Sequence, residues 1–157
     1  MKIKLLAIGK TDDKNLNSLI ETYQGRLKHY IKFDLEIIPD IKNVKNLSEK
    51  QQKEKEGDLI LGKLQSTDQL ILLDEKGKDF RSIEFSQYLQ KKMNSGIKQL
   101  VFVIGGPYGF SEAVYKKSMG KVSFSKMTFS HQMIRLFVVE QLYRGFTILK
   151  NEPYHHE

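Results

Sequence analysis

Apolar residues fall along this chain in two alternating rhythms. Residues 3 to 8 (IKLLAI) form a near-continuous apolar run and predict a buried strand. After Gly9 and a polar turn, Leu16, Leu19, Ile20, Tyr23, Leu27 and Tyr30 recur at helical spacing. Phe33, Leu35 and Ile37 alternate with Asp34 and Glu36 until Pro39, which reads as a half-exposed second strand. Ser48 with Gln51 three residues on is a capping-box signature, opening a helix whose first half, EKQQKEKEG, is almost wholly polar and is expected to be solvated. QLILL at 69 to 73 predicts a third strand, and Ser82 begins a helix with Phe85, Tyr88, Leu89, Lys92 and Met93 along one side. LVFVI at 100 to 104 is apolar throughout, as a central strand covered on both faces requires. Ser111 caps a short helix, KVSF at 121 to 124 forms a short strand, and Ser130 caps a long last helix to about Lys150. Strands alternating with helices imply one α/β domain over 1–157, with a mostly parallel sheet and helices on both faces.

Composition narrows the partners. With 26 Lys+Arg against 19 Asp+Glu the net charge is +7, and the basic residues are scattered. That favours a polyanion, nucleic acid first among them. Only four basic residues are arginines (Arg26, Arg81, Arg135 and Arg144), a balance suited to diffuse phosphate attraction. Absence of cysteine excludes disulfides, Cys-ligated zinc and thiol chemistry. The apolar stretch of MKIKLLAIGK is too short for a signal peptide and no run reaches membrane-spanning length, so a cytoplasmic protein with no membrane partner is expected.

The fourth strand runs into GGPYGF, residues 105 to 110. A P-loop needs four residues before a Gly-Lys-Ser/Thr, and neither that spacing nor the lysine is present. A dinucleotide-binding turn belongs after the first strand, where only Gly9 occurs. Pro107 also removes an N–H that an anion nest would use. The loop is therefore poor at holding phosphate, but Gly105, Gly106 and Gly109 let a flat neutral group such as adenine come close to the backbone. A tight strand-to-helix turn accounts for the same residues without a ligand.

In the last helix Ile134, Phe137, Val138, Gln141 and Leu142 mark one face, while Met133, Leu136, Val139, Tyr143 and Phe146 supply apolar groups around the rest. A helix apolar over so much of its surface needs two partners. Its own sheet is one; the other is a second subunit in a symmetric homodimer, or the remaining core of a monomer. Glu140 and Arg144 have the spacing and order of a helical ion pair. In the tail NEPYHHE, Pro153, Tyr154 and His155 offer a bend, a stacking ring and a titratable imidazole. His155 and His156 lack nearby acids at ligand spacing, so no metal site is expected, and His131 reads as a helix-start residue.

Taken in order, KIKLLAIGK, KEGDLILGKL, LLDEKGK, FVIGGPYGF, FSKMTFSHQMIR, EQLYRGFTI and PYHHE resemble the RlmH family along essentially the full chain. These are small SPOUT-class methyltransferases acting on N3 of a pseudouridine in large-subunit (23S) rRNA. Departures are His156, where relatives commonly carry Arg or Lys, and residues 40 to 54. The resemblance implies an α/β-knot fold whose C-terminal part threads into a trefoil, against the general rule that chains avoid knots. It implies S-adenosylmethionine held against Leu73, Gly105 and the stretch Phe124, Ser125, Lys126, Met127, Thr128 and Phe129, with Gly106 and Gly109 in the same glycine wall. It also implies an obligate homodimer in which each active site lies near the interface and takes the neighbouring chain's tail.

On that footing catalysis is largely positioning for an in-line displacement, plus removal of the N3 proton. His155 or a neighbour is expected to take the proton, Tyr154 to stack or order the tail, and Arg144 and Arg135 to orient RNA or the ring carbonyls. A domain this small is expected to recognise the shape of an assembled ribosome rather than a nucleotide sequence. Lysines near 50 to 55 either contact rRNA phosphates or form a solvated face. Two other readings remain open from the sequence: a ribosome-associated RNA-binding module without catalysis, and a SPOUT enzyme acting on tRNA.

Overall fold

The computed structural model describes residues 1–156. Five strands, β1 (Lys2–Ile8), β2 (Lys32–Ile38), β3 (Asp68–Asp79), β4 (Gln99–Ile104) and β5 (Gly120–Ser123), form one sheet in the order β2-β1-β4-β3-β5. Every pairing is parallel. Four α-helices connect them, α1 (Lys14–Leu27), α2 (Glu49–Gly62), α3 (Ser82–Asn94) and α4 (Glu112–Lys117), and α5 (His131–Leu149) follows β5.

β4 sits in the middle of the sheet, and Leu100, Val101, Phe102, Val103 and Ile104 are all buried. Its alternate residues therefore feed two cores. Leu100, Phe102 and Ile104 join Ile20, Leu27, Phe85, Leu89, Val138, Leu142 and Phe146 under α1, α3 and α5. Val101 and Val103 join Leu6, Ile60, Leu70, Leu72, Phe110 and Val114 under α2 and α4. Truncating Phe102 to alanine would cost about 3–5 kcal/mol.

Helix starts follow local chemistry. Asp13, Ser48, Ser111 and Ser130 each accept a backbone N–H from the first turn of the helix they precede, and Ser48 with Gln51 completes the capping box. The end of α5 is a Schellman reversal: Asn151 adopts φ 55°, its N–H reaches the Ile148 carbonyl at 3.0 Å, and Glu152 N–H reaches Thr147 O at 3.0 Å. Asparagine tolerates that left-handed conformation, and Pro153 then prevents the helix from resuming.

Three sequence expectations are corrected. β3 runs to Asp79, because after the Leu73–Val122 pair a bulge lets Lys78 pair with Val122 again. The polar half of α2 is not wholly solvated: Glu56 and Gly57 are buried. On α5 the buried side chains are Arg135, Val138, Val139, Leu142, Phe146 and Thr147, while Phe137 is 37% and Met133 41% exposed.

Candidate functional site

Parallel sheets present their ligand sites beyond the carboxyl ends of the strands. Here a cavity of about 520 Å³ opens at the carboxyl ends of β4 and β5 and beside Leu73 to Lys76 of β3, within the roughly 300–1,000 Å³ range of sites that enclose small ligands. Leu73, Ile104 and Val122 form its floor, Gly105 to Phe110 one wall, Phe124, Ser125 and Met127 to Phe129 the other, and His131 and Ile134 of α5 close one side. Lys126 does not line it: its ammonium turns outward to Asp79 at 3.8 Å and is 85% exposed. The sequence expectation for Lys126 is corrected to a surface position.

The glycine wall is a tight turn. Gly109 N–H donates to Gly106 O at 3.1 Å across Pro107 and Tyr108, and Gly109 holds φ 80°. Glu56 stands directly behind Gly106: a Cβ there would come 2.6 Å from Cδ of Glu56, so a side chain at this position would require the carboxylate to shift. A Cβ on Gly105 would press on the Phe110 ring at 3.1 Å. Both faces of the wall are thus already filled on the protein side, leaving the backbone edge to the cavity.

The opposite wall is held by its own hydroxyls. Ser123 Oγ donates to Ser125 O at 2.9 Å, and Ser125 Oγ accepts the Met127 N–H at 2.9 Å. Phe124 packs edge-on to Phe85 at 5.4 Å, and Phe129 packs on Phe137 at 5.0 Å.

The mouth is acidic although the protein is basic overall. Glu49, Asp74 and Glu75 line it with Lys76. Asp74 is fixed at both oxygens: Oδ2 accepts the Tyr115 hydroxyl at 2.6 Å and Oδ1 accepts the Lys76 N–H at 2.8 Å. Burial and Asp74 push the Tyr115 phenol up to about 12, so it stays a donor at neutral pH. Asp74 and Tyr115 were missed in the sequence; the signal was an acid directly after an apolar strand, in LLDEKGK.

Arg144, Tyr154 and His155 come together elsewhere, where the tail folds back over α5. Arg144 grips Glu140 Oε1 through Nη2 at 2.6 Å and Nε at 3.0 Å. Its guanidinium lies 4.7 Å from the Tyr154 ring, and its Nη1 is 3.3 Å from His155 Nδ1. Tyr154 donates to Glu140 at 3.0 Å and accepts from Tyr23 at 3.3 Å. Burial first, then these bonds, raise its pKa well above the usual tyrosine range. Arginine can only donate, so His155 Nδ1 accepts and Nε2 carries the proton. None of the three lines the first cavity of its own chain.

His155 and His156 instead border a second groove with Phe80, Arg81 and Gln141, separated from the first cavity by the shared residues Val122, Ser123, Phe124 and Phe129.

Arg135 departs furthest from expectation. It is 1% exposed, with Nη2 donating to Ile8 O at 2.7 Å and Nη1 to Thr11 Oγ1 at 2.9 Å. Burial lowers its pKa, against the opposing pull of Asp40 and Asp12. Within this chain it ties α5 to the carboxyl end of β1 and presents nothing to solvent, which corrects its expected contact with RNA.

The pattern described as "Predicted SPOUT methyltransferase" matches residues 1–155. The chain belongs to the SPOUT methyltransferase family. Relatives named ribosomal RNA large subunit methyltransferase H are similar over the full length of both chains: 76% identical in Flavobacterium johnsoniae and Flavobacterium psychrophilum, and 67% in Parabacteroides distasonis. As a SPOUT methyltransferase the chain needs a methyl donor, and the cavity's chemistry suits a cationic one: a flat slot between glycine backbone and aromatic side chains, with carboxylates at its mouth.

Proposed function

We propose that this chain transfers a methyl group from S-adenosylmethionine to N3 of a pseudouridine in large-subunit rRNA, acting on the assembled ribosome in the cytoplasm as a homodimer. The observation that carries the reading is the cavity at the carboxyl ends of β4 and β5 beside the middle of β3, whose lining includes Leu73, Gly105, Gly106, Gly109, Phe124, Ser125, Met127, Thr128 and Phe129. The full-length relatives named for rRNA methylation support the substrate class. The trefoil threading of the C-terminal part comes with the family and belongs to the same proposal.

Bound there, S-adenosylmethionine supplies an electrophilic methyl on a sulfonium with a neutral thioether as leaving group. The glycine wall would hold its purine against the backbone edge, and Asp74, kept in place by Tyr115, would accept hydrogen bonds from its hydroxyl or ammonium groups. The apolar floor of Leu73, Ile104 and Val122 excludes water from the transfer. His155, with Nδ1 engaged by Arg144, offers an Nε2–H that would orient a uracil carbonyl. Acting as base at N3 requires the Arg144 contact to break first. Tyr154 and Glu140 keep Arg144 and His155 in register.

The dimer rests on the exposed apolar groups Met127, Phe129, Met133 and Phe137 beside the cavity, which a second copy would cover while bringing its tail to this site. Calorimetric titration with S-adenosylmethionine, followed by mass spectrometry of nucleosides from treated ribosomes, tests the proposal. Expected are binding and a new N3-methylpseudouridine; no binding, or methylation of tRNA alone, would overturn it.

A further inference from the structure

The carboxylate of Glu56 is the least explained group in the molecule. It lies at the middle of α2, directly after the exposed Glu54 and Lys55, yet is only 3% exposed. Oε1 accepts from Gln52 Nε2 at 2.9 Å, while Oε2 is buried with no hydrogen-bonding partner among the described residues. Burying a carboxylate oxygen unpaired is expensive and calls for an explanation. What faces it is the backbone of Gly106, where even a methyl group would collide with the carboxylate. The next residue continues the wedge: a Cβ on Gly57 would meet Ser111 Cβ at 3.0 Å and Val114 Cγ2 at 3.3 Å. Glu56 and Gly57 therefore stand behind both ends of the Gly105–Phe110 turn, one at Gly106 and the other at the Ser111 cap of α4.

We infer that Glu56 is a positioning residue for the methyl-donor cavity: its carboxylate, anchored by Gln52, fixes the Gly106 backbone and so the shape of the glycine wall that meets the donor. This rests on the proposed donor site and adds to it a residue that lies outside the cavity lining. The wall needs such a support. Beyond its one cross-turn bond it contains three glycines and has Pro107 and Tyr108 exposed, so ahead of the buried Phe110 its own side chains do little to fix the backbone. Loss of the carboxylate leaves space behind Gly106 into which the wall can retreat, and donor affinity falls.

The test is a thermodynamic cycle read by calorimetric titration of the full-length protein with S-adenosylmethionine, beside thermal unfolding. Glu56→Ala is expected to weaken donor binding at least tenfold, and Glu56→Gln, which keeps the shape and the Gln52 contact, to stay within about threefold of wild type. Gly106→Ala alone should also weaken binding at least tenfold by striking the carboxylate. In the Glu56→Ala background the same change should be tolerated, giving a double variant that binds at least tenfold better than the product of the single losses predicts. A purely structural Glu56 would lower the unfolding midpoint with donor affinity unchanged and the two substitutions additive; that result overturns the inference. If Glu56→Ala does not fold, Gln52→Ala on the half-buried surface reads the same support: weaker binding upholds the inference and wild-type binding overturns it. Failure of the wild-type protein to bind the donor would instead strike the proposed site itself.

Discussion

Replacing Arg135 by methionine separates a structural arginine from one that touches RNA. Methionine keeps the unbranched stem and removes the guanidinium, so the packing volume changes little. The Ile8 carbonyl, bonded at 2.7 Å in a buried setting, loses its charged donor; an acceptor stranded in this way costs about 1–3 kcal/mol. Thr11 is half-buried and its hydroxyl turns to water, adding less than about 1 kcal/mol. Against these losses, the unpartnered Nε no longer has to be buried, which returns part of the cost. The net expectation is about 2 kcal/mol of destabilisation. Unfolding entropy of about 2.1 cal/mol/K per residue gives roughly 0.33 kcal/mol/K for a chain of this size, so the midpoint should drop by about 6 °C. Differential scanning calorimetry measures the drop, and methyl transfer assayed well below both midpoints should retain most of the wild-type KM for ribosomes. A midpoint within about 1 °C of wild type together with a large rise in that KM would refute the buried-tether argument.

Other substitutions probe the cavity, the tail and the sheet edge. Gly105→Val adds branched carbons against the Phe110 ring, already 3.1 Å from a Cβ, and should weaken S-adenosylmethionine binding at least tenfold, or about 1.4 kcal/mol; unchanged calorimetric affinity would reject that wall. His155→Ala should depress turnover while leaving donor affinity within about twofold, and wild-type turnover would remove the histidine from the chemistry. Asn151→Ala should lower stability by about 1 kcal/mol, because alanine pays more for the left-handed conformation at φ 55°; an unchanged midpoint on thermal unfolding would deny the helix stop that role. Glu36, hydrogen-bonded to Lys4 and Lys63, has its pKa held below the ordinary value of 4.5. Its contribution is therefore full above about pH 4.5 and is lost as pH falls through the lowered value. Glu36→Gln should flatten the acid side of the stability profile there, and an unaltered acid slope in urea titrations would contradict the assignment.

The alternation of strands and helices was legible because the apolar strands carry a clean pattern and several helices begin at a capping serine, as Ser48, Ser111 and Ser130 do. What escaped were features decided by distant neighbours. The polar end of β3, DEKGKD, has no strand rhythm, and it extends only because a bulge lets it pair again with β5. Glu56 and Arg135 read as surface charges on helices; their burial depends on Gly106 and Ile8, which lie 50 and 127 residues away. On α5 the side chains that turn inward depend on how the helix crosses the sheet, so Phe137 and Met133 could not be placed outside by periodicity alone. The cavity residues were named through family resemblance, and the turn chemistry of Gly109 and Pro107 was the part that residue types alone could carry. The reversal that brings Tyr154 and His155 back to Arg144 was also written locally, in Asn151 and Pro153, although the tail reads at first as a loose end.

The decisive experiment follows a labelled methyl group from S-adenosylmethionine to 70S ribosomes lacking the modification, to naked rRNA and to tRNA in parallel. Label on the ribosomes, at a rate far above either free RNA, is the expected result and joins donor, reaction and particle-level recognition in one observation. Equal labelling of naked rRNA would contradict recognition of the assembled particle, and no label on any acceptor would contradict the assignment of this chain as the methyltransferase of that site.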